Sequence, residues 1–160
     1  MSSLRLVSPV LFANLVGLLG WACSGGVPQP VPLHLHDDSC AWCRMAISDR
    51  RLAAQLVAPS EEPKFFDEIG CLRDYLAAQK TLPDGALAYV TDHRTEQWIR
   101  ADRATYTKAT GLETPMGSQL IAHENIASWR EDPNAPGSHT ITAADVFGPN
   151  GPPTGKGKAH

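Results

Sequence analysis

Two thiols and a thioether lie within six residues, in the segment Cys40-Ala41-Trp42-Cys43-Arg44-Met45. The rest of the chain has few other sulfur atoms, which belong to Met1, Cys23, Cys71 and Met116. Thiolates and thioethers are soft ligands that suit Cu(I) better than Mg²⁺, Ca²⁺ or Mn²⁺. The segment therefore predicts a site for a soft metal ion.

Met45 favours copper over zinc in this interpretation. It lies two residues after Cys43, so an extended segment would project both side chains to the same face. Cu(I) accepts a thioether ligand readily, whereas Zn²⁺ gains little from one. Considered alone, Met45 would more commonly be a core residue.

The pair Cys40 and Cys43 allows three other interpretations. A thioredoxin-like redox pair needs the motif at the start of a helix in a β–α–β unit, and strand-like sequence follows here. A closed zinc site needs four ligands, which Cys40, Cys43, Cys71 and one histidine could supply. A structural disulfide between Cys40 and Cys43 is the third possibility. Arg44 excludes a c-type haem site, which needs histidine at that position.

The amino-terminal residues 1–22 are predicted to be an export signal. Residues 6–19 are mostly apolar, but this segment is too short, and too interrupted by polar residues and proline, to span a membrane well. A weak transmembrane anchor is the alternative interpretation. Residues 18–26 resemble a bacterial lipoprotein cleavage site, despite the bulky Trp21, and Cys23 would be the lipidated first residue of the mature chain. Residues 23–37, rich in Gly and Pro near their start, are predicted to be a tether.

Composition excludes several classes of protein. The chain has 160 residues, 42% of them hydrophobic and 19% charged, which fits one compact domain or two very small ones. The formal charge is −3 and no Lys/Arg stripe is visible, so we expect no nucleic-acid partner. With Cys23 lipidated, three cysteines remain, and this odd count favours a metal or redox site over a disulfide scaffold.

Short apolar runs separated by turn residues, together with helical patterns, predict an α+β fold. The helix predicted from Asp67 to Gln79 has an apolar stripe, and we expect Asp67 to cap it. Cys71 lies beside that stripe, so burial is expected. Strands are predicted at 46–47, 52–58, 64–66, 86–90, 97–101, 104–109 and 120–123, and further helices at 124–130 and 142–147.

A faint internal repeat and the composition of the carboxyl terminus suggest how the chain is divided. Met45 and Met116 each precede a strand–helix unit, which indicates two small modules. Residues 148–160 contain seven Gly and Pro and are predicted to be a disordered tail.

No paired carboxylates, nucleophile elbow or phosphate-binding loop is visible, so we expect a protein that is not an enzyme. Met116 lies in a Pro-Met-Gly loop that would expose its thioether, although core packing is an equal alternative. His123 could supply an imidazole ligand, or could be a hydrogen-bonded histidine at a strand end.

Several motifs together resemble the NosL family, the accessory lipoproteins of nitrous oxide reductase. They cover most of residues 38–130 and comprise Cys40-x-x-Cys43-x-Met45, Ala53-Ala54-Gln55-Leu56, Phe66-Asp67-Glu68-Ile69-Gly70-Cys71, Ala88-Tyr89-Val90-Thr91-Asp92, Trp98-Ile99 and Thr114-Pro115-Met116-Gly117-Ser118. The resemblance implies a copper-binding domain at 38–147, built from two ββαβ-type modules at about 38–95 and 96–147.

The resemblance also implies a function. A NosL-like protein is a periplasmic Cu(I) chaperone, lipid-anchored and here expected at the outer membrane. It passes copper to the transporter-associated periplasmic machinery that assembles nitrous oxide reductase, a copper enzyme of denitrification. The family's copper-binding Cys and Met match Cys43 and Met45, and the Met of its Thr-Pro-Met-Gly loop matches Met116. Cys40 and His123 are further candidate ligands.

Two positions depart from the family pattern. Arg44 stands where the family usually has glycine, and we expect its charge to help keep Cys43 as a thiolate. Leu72 stands where the family often has methionine. Because related chaperones serve other copper enzymes, these departures bear on the identity of the client enzyme.

Overall fold

The computed structural model describes residues 26–135 and 139–156, so the predicted signal peptide and Cys23 lie outside the described residues. A 3-10 turn at Arg50–Leu52 precedes the first strand. The strands and helices follow in the order β1 Ala54–Val57, β2 Lys64–Phe66, α1 Ile69–Ala78, β3 Leu87–Thr91, β4 Trp98–Arg100, β5 Thr105–Lys108, β6 Leu120–His123, α2 Ile126–Glu131, β7 Thr140–Ile141 and α3 Ala143–Phe147. Within the described part of the chain, none of the helices has the length and apolar character needed to cross a bilayer.

The first sheet has the strand order β2-β1-β3-β4, with all neighbours antiparallel. Strands β1 and β3 are buried along their whole length. Helix α1 packs on one face, and the segment 28–33 covers the other: Gln55 exchanges hydrogen bonds with the backbone of Val31, and the Tyr89 hydroxyl donates to the Pro28 carbonyl. Burial on both faces explains why the sequences of these two strands are almost continuously apolar.

The second sheet has the order β6-β5-β7 and repeats the topology of the first. In each sheet the first strand (β1 or β5) lies between the next two strands of the chain (β2 and β3, or β6 and β7), and a helix joins those two. The prediction of an α+β fold with two ββαβ-type units is therefore confirmed. Strand β4 is an additional member of the first sheet, where Ile99 pairs with Val90, so this sheet extends beyond residue 95.

The two sheets share one core. Tyr106 in β5 is fully buried, its hydroxyl donates to the Ala101 carbonyl at 2.7 Å, and its ring packs edge-on against Phe147. Tyr106 belongs to the same apolar cluster as Phe66 and Leu72 of the first unit. Separation of the second unit from the first would therefore expose part of the apolar core of the first unit.

Asp92, just after β3, fixes the junction between the sheets. Its carboxylate accepts hydrogen bonds from the backbone N–H groups of Arg94, Thr95 and Glu124 and from the Ser128 hydroxyl. Burial raises the pKa of Asp92, but these donors outweigh it and the net shift is downward. Glu124 and Ser128 belong to the second unit, so a single carboxylate holds both units.

The beginning of α1 differs from the prediction. The cap position is Glu68, whose side chain makes no capping hydrogen bond, so the expectation that Asp67 caps the helix is wrong. Asp67 is buried instead, and burial raises the pKa of its carboxyl group although the Ser48 backbone partly offsets this.

Parts of the predicted tether and of the predicted tail pack against the first sheet. Leu33 is buried in the core, and residues 28–31 bond to β1 and β3 as described above. Beyond α3, the Pro153 carbonyl accepts from Ala88 and the Gly155 N–H donates to Ala86, beside the start of β3 that the short strand β4 leaves unpaired. The prediction of disorder for 148–160 therefore fails up to Lys156, and residues 157–160 lie outside the described residues.

Candidate metal centre

The segment from Cys40 to Met45 is a closed loop. The Cys40 N–H donates to the Met45 carbonyl at 2.8 Å, and the Arg44 N–H donates to the Cys40 carbonyl at 3.0 Å. Ser39 and Ala46 then pair as an antiparallel bridge. The prediction that Cys43 and Met45 share one face of an extended segment is therefore wrong, because the chain turns between them.

Arg44 occupies the position that closes this loop. Its φ of 69° lies in the left-handed region, which costs an L-residue about 1 kcal/mol and which glycine adopts freely. The expectation that Arg44 keeps Cys43 as a thiolate is not met, because burial raises the pKa of Cys43. Backbone geometry thus accounts for a glycine at this position.

Three free thiols converge beneath the loop. The sulfur atoms of Cys40, Cys43 and Cys71 all lie within 4.8 Å of one another. Cys40 and Cys71 are each 1% exposed, whereas Cys43 is half-buried. Burial of Cys71 is confirmed, but the sequence did not indicate that its sulfur faces the other two thiols. Such a cluster can bind a soft metal ion.

Hydrogen bonds within the cluster favour a thiolate at Cys40. A hydrogen bond from Cys71, followed by backbone N–H donors of Asp67, Cys43 and Trp42, outweighs burial and lowers the pKa of Cys40 to about 4. The same sulfur–sulfur hydrogen bond raises the pKa of Cys71. Cys40 is therefore the thiol most readily deprotonated, whereas Cys43 and Cys71 hold their protons more tightly.

We expect the reduced, metal-free chain to contain one thiolate with a pKa of about 4, because Cys71 donates to Cys40. Thiolate ultraviolet absorbance measured against pH should show this transition. Cys71→Ala removes the donor and should move the transition upward, while Ser39→Ala, an exposed position that changes no sulfur, is the control that should leave it in place. A wild-type chain with no thiolate below the ordinary thiol range would contradict this assignment.

The pKa of Cys40 also affects folding stability. Because this pKa is lower in the folded chain than in the unfolded chain, the Cys40 thiolate adds to the free energy of unfolding as pH rises above about 4.

Met116 lies close to this cluster. A turn between Thr114 and Gly117 presents its side chain, which is 55% exposed, and the Thr114 hydroxyl accepts from the Gln119 N–H. Met116, Cys71 and Trp42 line the same cleft of about 300 Å³. Met45 is also exposed, at 42%, although it does not line this cleft. The two thioethers are therefore surface groups and not core residues.

Gly70 allows the Met116 loop to approach α1. A Cβ atom at Gly70 would lie 2.6 Å from the Ser118 Cβ and 2.6 Å from the Glu68 Oε1. The same Glu68 oxygen accepts a hydrogen bond from the Ser118 N–H at 3.3 Å. The absence of a side chain at Gly70 thus brings the loop against the turn that carries Cys71.

Gly70→Ala is expected to destabilise the fold by about 1–3 kcal/mol, because the added methyl group displaces Ser118. The sign of the change in the free energy of unfolding distinguishes this contact from an ordinary helix position, where Gly→Ala stabilises by up to about 1 kcal/mol. Urea unfolding measures the change. Gly70→Ala combined with Ser118→Gly should recover part of the loss, and a Gly70→Ala chain as stable as wild type would contradict the packing described.

Residues 30–145 match the model of the NosL family, which is 116 of the 160 residues. The chain belongs to the NosL family. No curated protein matches the chain.

NosL proteins form a copper-binding accessory family of extracytoplasmic lipoproteins and not a known enzyme family. The resemblance noted in the sequence is thereby confirmed, and with it the expectation of a metal-binding accessory role. The three-thiol cluster of this NosL chain provides a site for such a metal. The left-handed Arg44 and the close contact at Gly70 give physical reasons for glycines in the family motifs.

The structure places His123 away from the thiols. His123 is fully buried and belongs to a second cluster, with His93 and Asp132. In the described part of this NosL chain, no histidine nitrogen lies within 4.8 Å of all three cysteine sulfurs. The zinc interpretation with three cysteines and one histidine therefore lacks its fourth ligand.

The redox interpretation is also disfavoured. Cys40, the thiol with the lowered pKa, is 1% exposed and cannot be reached by a protein disulfide. Cys40 and Cys43 lie in a closed loop and not at the start of a helix. The geometry instead suits a buried soft site with exposed thioethers nearby.

Proposed function

We propose that this chain is a periplasmic Cu(I) carrier that binds the ion through Cys43, Met45 and Met116. Cys40 is a further ligand, and the chain is anchored to the outer membrane by a lipid on Cys23. It delivers copper to the transporter-associated machinery that matures a copper enzyme, and nitrous oxide reductase is the first candidate client.

The cleft that joins Met116 to Cys71 is the observation that carries this proposal. Met116, from the β5–β6 connection, lines this cleft with Cys71 of α1 and Trp42 of the Cys40 loop, although these segments are far apart in the sequence, and Cys71 belongs to the three-thiol cluster. Soft ligands of two kinds on one cleft favour Cu(I) over Zn²⁺, since Zn²⁺ gains little from a thioether. Membership of a copper-binding accessory family supports the same ion.

The order of exposure suggests how the ion is released. Cys40 and Cys71 are buried, Cys43 is half-buried, and the two methionines reach the surface. An incoming soft ligand from a partner therefore meets the thioethers first, and they exchange before the thiolates release the ion. Trp42, 41% exposed on the wall of the cleft, limits access of water until the partner arrives.

Met45→Leu and Met116→Leu are expected to weaken Cu(I) binding by about 10-fold and to leave Zn²⁺ binding nearly unchanged. Leucine preserves the volume of methionine but removes the sulfur. Competition titrations with a Cu(I) chelator and a Zn²⁺ chelator measure both affinities on the reduced chain. Leu35→Met, an exposed site outside the cluster, is the control that should change neither value. Equal losses for both ions, or no loss of Cu(I) affinity, would overturn the proposal.

A further inference from the structure

A second group of metal-ligating side chains is buried at the junction of the two sheets. The Oδ2 atom of Asp132 lies 2.6 Å from the Nδ1 of His93 and 2.8 Å from the Nε2 of His123. The three side chains are at most 1% exposed. One ligand atom from each residue lies within 4.8 Å of the other two. Two imidazole nitrogens and a carboxylate oxygen thus lie close enough together to bind one metal ion.

The three residues come from different elements. His93 lies two residues beyond the end of β3, His123 is the last residue of β6, and Asp132 follows the last residue of α2. The backbone of His93 is fixed by its N–H, which donates to the Ala122 carbonyl at 2.8 Å. The cluster therefore links the first sheet to the second, on rigid elements.

The surroundings are suited to a cation. The Asp132 Oδ2 atom faces both imidazoles, and its Oδ1 atom accepts from the Asn134 N–H. A second buried carboxylate, Asp92, adjoins His93 in sequence, and Asp49 interacts electrostatically with His93. Arg51, an exposed residue, is the cation that interacts with Asp132 from outside.

Hydrogen bonding leaves the cluster incomplete. The Nδ1 atom of His123 is buried and has no hydrogen-bond partner among the described residues. Both imidazoles must also donate to the same Asp132 oxygen, while the other oxygen accepts from the Asn134 N–H. The two imidazoles that share one carboxylate oxygen are arranged as ligands around a common point, whereas the Nδ1 atom of His123 lies on the other side of its ring and would not bind an ion there.

We propose that His93, His123 and Asp132 form a second metal site, for a divalent ion of the Zn²⁺ type. Two imidazoles and one carboxylate are ligands that such ions bind at about 2.0–2.2 Å. Ligand atoms around a tetrahedral ion are about 3.3 Å apart. The present contacts of 2.6 and 2.8 Å therefore lengthen by about half an ångström, which a rotation of the Asp132 carboxylate supplies.

This site differs from the thiol cluster in its chemistry. A carboxylate and two imidazoles suit borderline divalent ions, whereas thiolates and thioethers suit Cu(I). The ion at the second site would remain with the chain and hold the two sheets together, while Cu(I) is loaded and released elsewhere. The inference does not depend on the identity of the copper client.

The test uses the chain with Cys40→Ser, Cys43→Ser and Cys71→Ser, so that no described thiol competes for Zn²⁺. We expect one equivalent of Zn²⁺ to bind and, at about 100 times its Kd, to raise Tm by about 5 °C or more. Adding Asp132→Asn should weaken binding at least about 10-fold. His34→Gln with His36→Gln, which alters exposed histidines, is the matched control and should leave binding unchanged.

A second measurement keeps the test decisive if the substituted chains fold poorly. In the wild-type chain with excess Zn²⁺, imidazole ¹⁵N NMR signals of His93 and His123 should shift as one equivalent fills this site. Unshifted signals, or Zn²⁺ binding that Asp132→Asn leaves intact, would overturn the inference. Loss of binding in the His34 and His36 control would also overturn it, because the ion would then lie on the surface.

Discussion

Cys43→Ser is expected to weaken Cu(I) binding by about 100-fold or more, the largest effect of any single substitution at the candidate site. Removal of residues that merely orient a metal ligand costs 10–100-fold in affinity, so removal of a sulfur ligand itself should cost at least the upper value, about 3 kcal/mol. A chelator competition titration of the reduced chain measures the loss.

Two variants control for this prediction. Cys71→Ser should have a smaller effect, because the buried Cys71 is not among the proposed ligands of the ion. Ser39→Ala, in the strand bridge beside the loop, changes no sulfur and should bind Cu(I) as wild type does. If Cys43→Ser bound Cu(I) within about three-fold of wild type, Cys43 would not be a ligand.

Asp92→Ala is expected to destabilise the fold by about 3–5 kcal/mol. The substitution leaves three backbone N–H groups and the Ser128 hydroxyl without their acceptor, and each unsatisfied buried donor costs about 1–3 kcal/mol before water compensates. Thermal unfolding should show Tm lowered by about 10 °C or more.

The control for the junction is Asp84→Ala, which removes an exposed carboxylate from the turn before β3. It should change Tm by no more than about 2 °C. A chain with Asp92→Ala that unfolds at the same temperature as this control would show that Asp92 does not hold the two sheets together. The network also explains why an aspartate ends the Val90-Thr91-Asp92 motif.

The sequence predicted most of the fold because local patterns determine it. The stripe formed by Ile69 and Leu72 is buried as expected, and Thr142 caps α3 with Asp145 in a capping box. The strand β7, of two residues, is too short to give any apolar pattern. The order of the tail against β3 was missed for another reason: Gly- and Pro-rich composition indicates flexibility but does not show that a strand edge is available for pairing.

The candidate site was predicted less completely, because it depends on contacts between distant segments. The sulfur-rich loop was evident, yet nothing near Cys71 in the sequence shows that helix α1 turns its thiol toward Cys40. The turn at Arg44 could not be predicted from the sequence, because arginine rarely adopts the positive φ that this turn requires. For His123 the sequence left two interpretations open, a metal ligand or a hydrogen-bonded histidine at a strand end, because its partner Asp132 lies nine residues away, just after α2.

Whether copper is held by sulfur from both cysteine and methionine can be measured directly. The chain has three methionines, of which Met45 and Met116 lie in the described domain. With methionine replaced by selenomethionine, X-ray absorption at the copper edge of the Cu(I)-loaded chain should show copper–selenium scattering beside copper–sulfur scattering. Met45→Leu and Met116→Leu should each reduce the selenium contribution. A spectrum with copper–sulfur scattering but no selenium neighbour would show that the methionines do not bind the ion, and would contradict the account.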